Sequence, residues 1–362
     1  MPARETFNED TRVKFPATIH FLRLGYKYRS YNKAIENGQV DFHTKIFKDS
    51  FSKAINRING SNLNEEEIQD LLDKIHSVIS NNDLGKEFYS WLIDPVDKVR
   101  LIDFDNIDNN IYEVVDDLKF GEQDEGHFRP DINILINGIP LAFLEVKKPN
   151  NEGGIQVEFD RMVNQRYQRV EHRKYFNMIQ LTCFSNNMPY ETDDDRDVEP
   201  KQGSFYSTPN GSQTTFNFFR EESKDVVPML DDDNEVIENL LLDNGYSPKV
   251  METPEYLTNV AINTPCNSFI TSLFEKNRLM YFLHYGILYI QEDVLKKHIM
   301  RYPQFFASKA ILKRIQTGGK SGIIWHTQGS GKTELAVYVN RIVRDYYASL
   351  GVNARFSMSL ID

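Results

Sequence analysis

The chain is poor in cysteine, in long apolar runs and in net positive charge, and each shortage excludes a class of protein. Its two cysteines, Cys183 and Cys266, lie in apolar or mixed surroundings without metal-ligand spacing, so neither a disulfide framework nor a zinc site is supported. No run approaches the roughly 18 apolar residues of a membrane span. The charged start MPARETFNED lacks the apolar segment of a leader peptide. These absences point to a reducing, cytoplasmic setting and to no membrane partner. A net charge of -11 argues against tight free-standing binding of nucleic acid over the whole surface, because phosphate neutralisation supplies most non-specific affinity. Local basic grooves or partner proteins would have to bring such a chain to DNA. The acidic runs Asp193 to Asp197 and Asp231 to Asp233 read as solvated loops, and there is no internal repeat.

What is present is ample material for a core. With 362 residues, 40% hydrophobic and 26% charged, the chain has the composition of a globular protein of two or three domains. Its clearest unit is RPDINILINGIPLAFLEVKKP, at 129–149. Two apolar runs flank Asn137-Gly138, the strongest short-range hairpin signal, and predict antiparallel strands over 131–136 and 140–147. The period-two rule puts Asp131 and Asn133 on one face of the first strand, away from Ile132, Ile134 and Ile136. Glu145 and Lys147 share a face of the second. Pairing across the turn brings Asp131 almost opposite Glu145, so two carboxylates and an ammonium converge at the open end. Mg2+ takes hard oxygen ligands and keeps several waters, so one or two carboxylates plus a substrate phosphate suffice to hold it. A neighbouring lysine can orient water or stabilise developing negative charge. The alternative is a solvated surface hairpin. Against it, charges at the end of a strand reading PLAFLEV cost free energy unless paired or coordinated.

The order Pro-Asp, hairpin, Glu-Val-Lys resembles the PD-D/E-x-K nuclease core. NIYEVVDDLKF followed by RPDINILINGIPLAFLEVKKPN resembles specifically the R (restriction and motor) subunit of type I restriction endonucleases. The resemblance implies that Asp131 and Glu145 bind Mg2+ and that Lys147 assists hydrolysis of double-stranded DNA. It also draws attention to Glu9, since nucleases of this fold carry a further acid on the first helix. The other reading of Glu9 is a helix N-terminal charge favoured by the dipole.

Around the hairpin, FNEDTRVKFPATIHFLRLGY predicts a helix with Val13, Ile19 and Leu22 inward, and 46–59 a second helix. A third follows the capping-box start at Asn64 and Glu67. Segments 99–104 and 111–120 read as strands, 156–175 as a helix and 178–184 as a strand closing the nuclease sheet. The 156–175 helix carries Arg161, Arg166, Arg169, Arg173 and Lys174, available to phosphates. In the family it bears Gln-x-x-x-Tyr near DNA; Tyr167 fits, but Val163 stands four residues earlier, with Gln165 only two before. Tyr167 and Arg166 are the DNA-binding candidates. The stretch 203–219 predicts a hairpin around Pro-Asn-Gly-Ser.

From Thr264 the texture changes and resembles the beginning of the family's helicase-like motor. GIIWHTQGSGKTELAVYV predicts a strand at 322–325, a loop at 327–331 and a helix from Lys332, the phosphate-binding P-loop, although His326 stands where the strict pattern wants Gly. Thr327, Gly329, Ser330 and Gly331 supply the loop, Lys332 reaches the terminal phosphates of ATP, and Thr333 ligates Mg2+. Upstream, Gln304 stands where superfamily 2 helicases read adenine, unless it is an ordinary surface glutamine. NARFSMSLID resembles the next strand. No Asp-Glu motif, second RecA-like domain or arginine finger follows, so a fragment or natural truncation with very slow ATP turnover is expected.

The expected architecture is therefore α/β: a PD-D/E-x-K nuclease domain with a mixed sheet and flanking helices over 1–200, a hairpin and connecting region over 201–260, and the start of a RecA-like domain over 261–362. The resemblance implies Mg2+ and ATP as cofactors, with double-stranded DNA and the modification (methyltransferase) and specificity subunits as partners. Another nuclease-helicase fusion of phage defence or repair, and a catalytically inactive interaction module, are the alternatives.

Overall fold

The computed structural model describes residues 8–120, 128–149, 155–192, 200–319, 321–325, 327 and 329–352. A π turn at Asp10–Lys14 runs into α1 (Phe15–Arg23), followed by β1 (Lys27–Arg29) and α2 (Tyr31–Glu36). Three helices come next: α3 (Lys48–Asn59), α4 (Glu65–Ile79) and α5 (Lys86–Ile93). Strands β2 (Tyr112–Asp116), β3 (Ile132–Ile136) and β4 (Ile139–Val146) form a meander, and α6 (Gln156–Arg161) and α7 (Arg173–Met178) lead to β5 (Leu181–Ser185). A ribbon of β6 (Glu191–Thr192) and β7 (Pro200–Gln202) precedes β8 (Ser204–Ser207) and β9 (Asn217–Phe218). The rest comprises α8 (Asn234–Asp243), α9 (Pro254–Asn259), α10 (Pro265–Phe274), α11 (Lys276–Tyr285), the hairpin β10 (Ile287–Gln291) and β11 (Leu295–Ile299), α12 (Tyr302–Gln316) and α13 (Lys332–Ser349).

Seven strands form one mixed sheet in the order β1-β2-β3-β4-β5-β8-β9, parallel at β1/β2 and β4/β5 and antiparallel elsewhere. Helices cover both faces. On one, Thr18 of α1 donates to Asp116 of β2, and Phe21 packs edge-on against Tyr26 and Phe274, the latter from α10. On the other, Ser50 of α3 donates to Glu113 and Tyr175 of α7 donates to Asn133. With apolar neighbours on both sides, β2 through β5 are buried throughout, which explains their continuous rather than alternating apolar character. The start of α4 carries the expected capping box, Asn64 accepting from the Glu67 amide and Glu67 from the Asn64 amide, worth about 1 kcal/mol.

Several elements depart from expectation. Segment 99–104 is no strand: Leu101 and Ile102 are buried, yet their backbone bonds go to asparagine side chains. Asn59 accepts from the Arg100 amide, Asn110 from the Asp103 amide, and Asn137 donates to the Leu101 carbonyl. The strand at 111–120 stops at Asp116, because Asp117 turns to φ 55°. The 156–175 helix is interrupted by a π turn, Met162–Arg166, and a 3-10 turn, Val170–His172. The 203–219 hairpin forms and extends the main sheet through β8 on β5. Residues 322–325 pair with no strand among the described residues, and Ile323 and Trp325 are more than 89% exposed, at 93% and 90%. A parallel strand needs neighbours to satisfy its backbone, and among the described residues none pairs with this segment. Asp193 to Asp197, His326 and NARFSMSLID fall outside the described residues. Among the described residues no helix is long and apolar enough to cross a membrane.

Candidate active site

The β3–β4 hairpin turns through Asn137 and Gly138, at φ 56° and 75°, the pair of left-handed conformations a two-residue turn of this hand requires. Ile136 pairs with Ile139. A regular ladder from that turn would set Asp131 opposite Leu144 and leave Glu145 on the other face. A bulge intervenes: Leu135 pairs with Pro140 but Ile134 with Ala142, leaving Leu141 as the extra residue. Ile132 then pairs with Leu144, and Asp131 and Glu145 face each other on one side of the sheet. Asp131 Oδ2 accepts from the Val146 amide at 2.8 Å, fixing the carboxylate across the strand end.

Lys147 occupies the space between the acids. Its Nζ lies 3.8 Å from Asp131 Oδ2, 3.6 Å from Glu145 Oε1 and 3.6 Å from Glu9 Oε1, and donates to the Val146 carbonyl at 2.8 Å. Glu9 reaches it around the end of the sheet from the turn leading into α1. Glu158, which had no role in the sequence reading, and Arg166, read there as a DNA contact, complete the cluster. Glu158 of α6 is buried, and Arg166 stands 3.3 Å from Glu158 Oε1 and 3.5 Å from Glu145 Oε1, its guanidinium over the Phe128 ring.

The electrostatics follow from four carboxylates around two cations. Burial, then the charge of Asp131, pushes the Glu145 carboxyl up to about 8, against the pull of Lys147 and Arg166. Burial likewise raises Asp131 and Glu9, in both cases against Lys147. For Lys147 burial opposes charge, but Glu145, Asp131 and Glu9 outweigh it and raise its pKa. Each such attraction is worth roughly 4 kcal/mol at an effective dielectric of 20, and three of them exceed the several kcal/mol of burying one ammonium. Lys147 therefore stays charged, and Glu145 keeps a raised pKa although both Lys147 and Arg166 approach its Oε1. Its Oε2 is buried without a hydrogen bond.

That orphaned oxygen, beside Asp131 on the same face, fits a hard divalent cation. Among the described residues no three His, Cys, Asp or Glu side chains are spaced to enclose a metal. The protein thus offers two carboxylates, with the Lys147 ammonium now between them, as the hard oxygen donors Mg2+ prefers.

The DNA-contact candidates are placed differently from expectation. Arg166 points inward to Glu145 and Glu158 instead of outward. Tyr167 is packed: its hydroxyl donates to Thr182 at 3.1 Å and its ring meets Phe176 edge-on. Lys174 is engaged with His76, while Arg161, Gln165 and Arg169 remain exposed.

A family model described as type I restriction enzyme R protein N terminus matches residues 6–224. The chain belongs to the N-terminal family of type I restriction enzyme R proteins. Residues 303–354 also match a model described as SWI2/SNF2 ATPase. The R-protein chain is 28% identical over 357 residues to a Methanocaldococcus jannaschii protein named as the type I restriction enzyme MjaIXP endonuclease subunit, covering 90% of this chain and 30% of that one. It is 22% identical over 341 residues to the type I restriction enzyme HindI endonuclease subunit of Haemophilus influenzae, covering 86% and 28%. It therefore spans less than a third of the length of these relatives.

In this R-protein chain the glycine loop lies apart from the hairpin. Gly329 and Gly331 adopt φ 75° and 76°, and α13 begins at Lys332. Gln304 is buried, not a surface residue: its Oε1 accepts from the Arg301 amide and its Nε2 donates to the Gly331 carbonyl, both at 2.7 Å. Arg301 donates to the Gly329 carbonyl at 2.9 Å. A Cβ on Gly331 would lie 2.4 Å from Gln304 Nε2, so only glycine admits this contact. Thr327, Lys332 and Thr333 are exposed, and Ser330 Oγ is buried without a partner.

Proposed function

We propose that this chain is the DNA-cleaving and nucleotide-holding part of a type I restriction enzyme R subunit. The observation that carries the reading is the meeting of Asp131, Glu145 and Lys147 at the open end of one hairpin, with Glu145 Oε2 unpartnered, in a chain of the R-protein N-terminal family. On this reading the seven-stranded sheet and its helices are a PD-D/E-x-K nuclease core, and the region beyond Thr264 is the start of a RecA-like motor.

Asp131 and Glu145 are the residues that would hold Mg2+. A metal held there would supply Lewis acidity for phosphodiester hydrolysis in double-stranded DNA. Lys147, kept charged by its three acids, is positioned to orient the attacking water or to stabilise charge developing on the phosphate. Glu9 gives Lys147 a third carboxylate neighbour, at 3.6 Å, and limits its freedom. The exposed Arg161 and Arg169 are candidates for backbone phosphates beyond the cut.

At the glycine loop, Lys332 and Thr333 would hold the terminal phosphates of ATP and their Mg2+ at the start of α13. Gln304 and Arg301 hold the loop from behind. A cleft of about 490 Å³ beside them, lined among others by Asn210, Asn217, His298 and Tyr338, has room for a nucleoside. In the complete protein, ATP-driven translocation with the modification and specificity subunits would deliver DNA to a domain whose overall charge does not attract it.

The test uses the complete subunit reassembled with those partners, comparing DNA cleavage and ATP hydrolysis for wild type and Glu145→Ala. Cleavage is expected to disappear while ATP hydrolysis persists. Undiminished cleavage would remove the hairpin from the mechanism.

A further inference from the structure

Arg166 is held where a free surface arginine would not be. It ends the π turn Met162–Arg166, and its guanidinium lies 4.4 Å from the Phe128 ring centroid. Phe128 is itself wedged among Phe143, Tyr175 and Phe176. From that shelf Arg166 Nη1 reaches two acids at once, Glu158 Oε1 at 3.3 Å and Glu145 Oε1 at 3.5 Å. Glu158 also has Arg161 at 3.7 Å, whose side chain is 54% exposed and correspondingly weak as a partner, and feels the charge of Lys147 at longer range. Lys147 contacts Glu9, Asp131 and Glu145. Glu145 is thus the acid on which both inner cations converge. Four carboxylates, Glu9, Asp131, Glu145 and Glu158, thus crowd around Lys147 and Arg166.

We propose that Arg166 is a resident counter-cation that competes with the divalent metal for Glu145, and that Glu158 is the berth to which its guanidinium withdraws when metal enters. The proposal rests on the reading of the hairpin as a metal site. A cation coordinated by Glu145 meets the positive charge of Arg166 at the same carboxylate, so the two cannot both engage it at full strength. The withdrawal is short, because Nη1 already lies nearer Glu158 than Glu145. A planar guanidinium can slide across the Phe128 face without losing its stacking, which a point-charge ammonium could not do as well. The consequence is a site that holds metal weakly until a DNA phosphate adds its own oxygen ligands. Arg166 and Glu158 are positioning residues in this account, acting through Glu145.

The test is Mn2+ binding to the chain without DNA, followed by calorimetric titration and by the rise in melting temperature on adding Mn2+. Arg166→Gln is expected to tighten binding by about fivefold or more, and Glu158→Gln, which leaves Arg166 with Glu145 alone, to weaken it by a similar factor. The double variant should lie close to Arg166→Gln, because Glu158 acts on Glu145 mainly through Arg166, its own direct charge effect there ranking below that of Arg166. If circular dichroism finds Arg166→Gln unfolded, Arg166→Met, which preserves apolar packing on Phe128, makes the same measurement. Unchanged or weaker binding on loss of Arg166 overturns the proposal while leaving the metal site intact. Weakening by Glu158→Gln that persists in the double variant makes Glu158 a direct ligand and overturns the berth. No Mn2+ binding by wild type or by either Arg166 variant fells the metal reading and the proposal with it.

Discussion

Glu145 titrates near 4.5 when unfolded, and burial together with the Asp131 charge lifts it to about 8 in the fold. The folded state binds that proton more tightly, so the stability it contributes is fully present below pH 4.5 and is lost as pH rises through about 8. Glu145→Gln removes this dependence. At pH 8.5 the variant is expected to be more stable than wild type by roughly 1–3 kcal/mol, the difference shrinking towards pH 5, as urea unfolding at the two pH values would measure. A variant less stable at pH 8.5 would mean that Lys147 and Arg166 need the Glu145 charge more than its burial costs. The three hairpin residues were legible as candidates from their residue types at the ends of two strands joined by an Asn-Gly turn, but turn and periodicity alone would leave Glu145 on the face away from Asp131, and the bulge at Leu141 brings them together. Glu158 and the inward course of Arg166 were not, since they depend on how the α6 segment approaches the sheet. Tyr167 was legible as a position but not as a packed residue, because Thr182 and Phe176, which hold it, belong to later elements.

At the scale of elements, the hairpin depends on its turn. Gly138 has φ 75°, and a Cβ there would lie 2.5 Å from the Phe47 carbonyl oxygen, at the entrance to α3. Gly138→Ala combines left-handed strain with a backbone clash and is expected to cost at least about 2 kcal/mol. A lowered urea midpoint with unchanged slope would report it; a loss under about 0.5 kcal/mol would mean that α3 moves aside at little cost. The same turn explains what sequence patterning missed nearby. Asn137 spends its side chain on the Leu101 carbonyl, Asn110 and the Ile111 amide. The apolar run at 99–104 is consequently anchored by asparagines and needs no strand partner. The bulge at Leu141 left no mark in the alternation, because β4 is buried on both faces. Yet it decides which face Glu145 occupies. The helices with a polar face, α3 and α4, were legible almost to their ends, since each presents a single apolar stripe inward.

For the whole molecule the expected division near residue 200 meets a sheet that runs straight past it, with β8 paired to β5 and β9 to β8. Further bonds tie the early elements to the late ones. Tyr26 donates to the Phe274 carbonyl, Tyr89 to that of Leu283, and Tyr206 to that of Met300. Buried Lys297 of β11 donates to the Ile179 carbonyl. One core cluster includes Val13, Phe143, Phe274 and Ile342. The strand at 178–184 was expected to close the nuclease sheet, since sequence carries no record of which strands lie side by side. A chain ended at residue 200 would uncover one edge of β5 and the apolar surfaces that α10 and α11 cover on α1 and α5. Such an exposed edge and apolar face favour association over folding. We expect that fragment to be insoluble or to lack a cooperative melt, whereas a chain ended at residue 319 keeps the sheet and its covering helices and melts in one transition with nuclease-site metal binding retained. A fragment of 1–200 that melts cooperatively and binds Mn2+ as tightly as the full chain would make the nuclease unit independent, and the later helices a neighbour, not a part of its core.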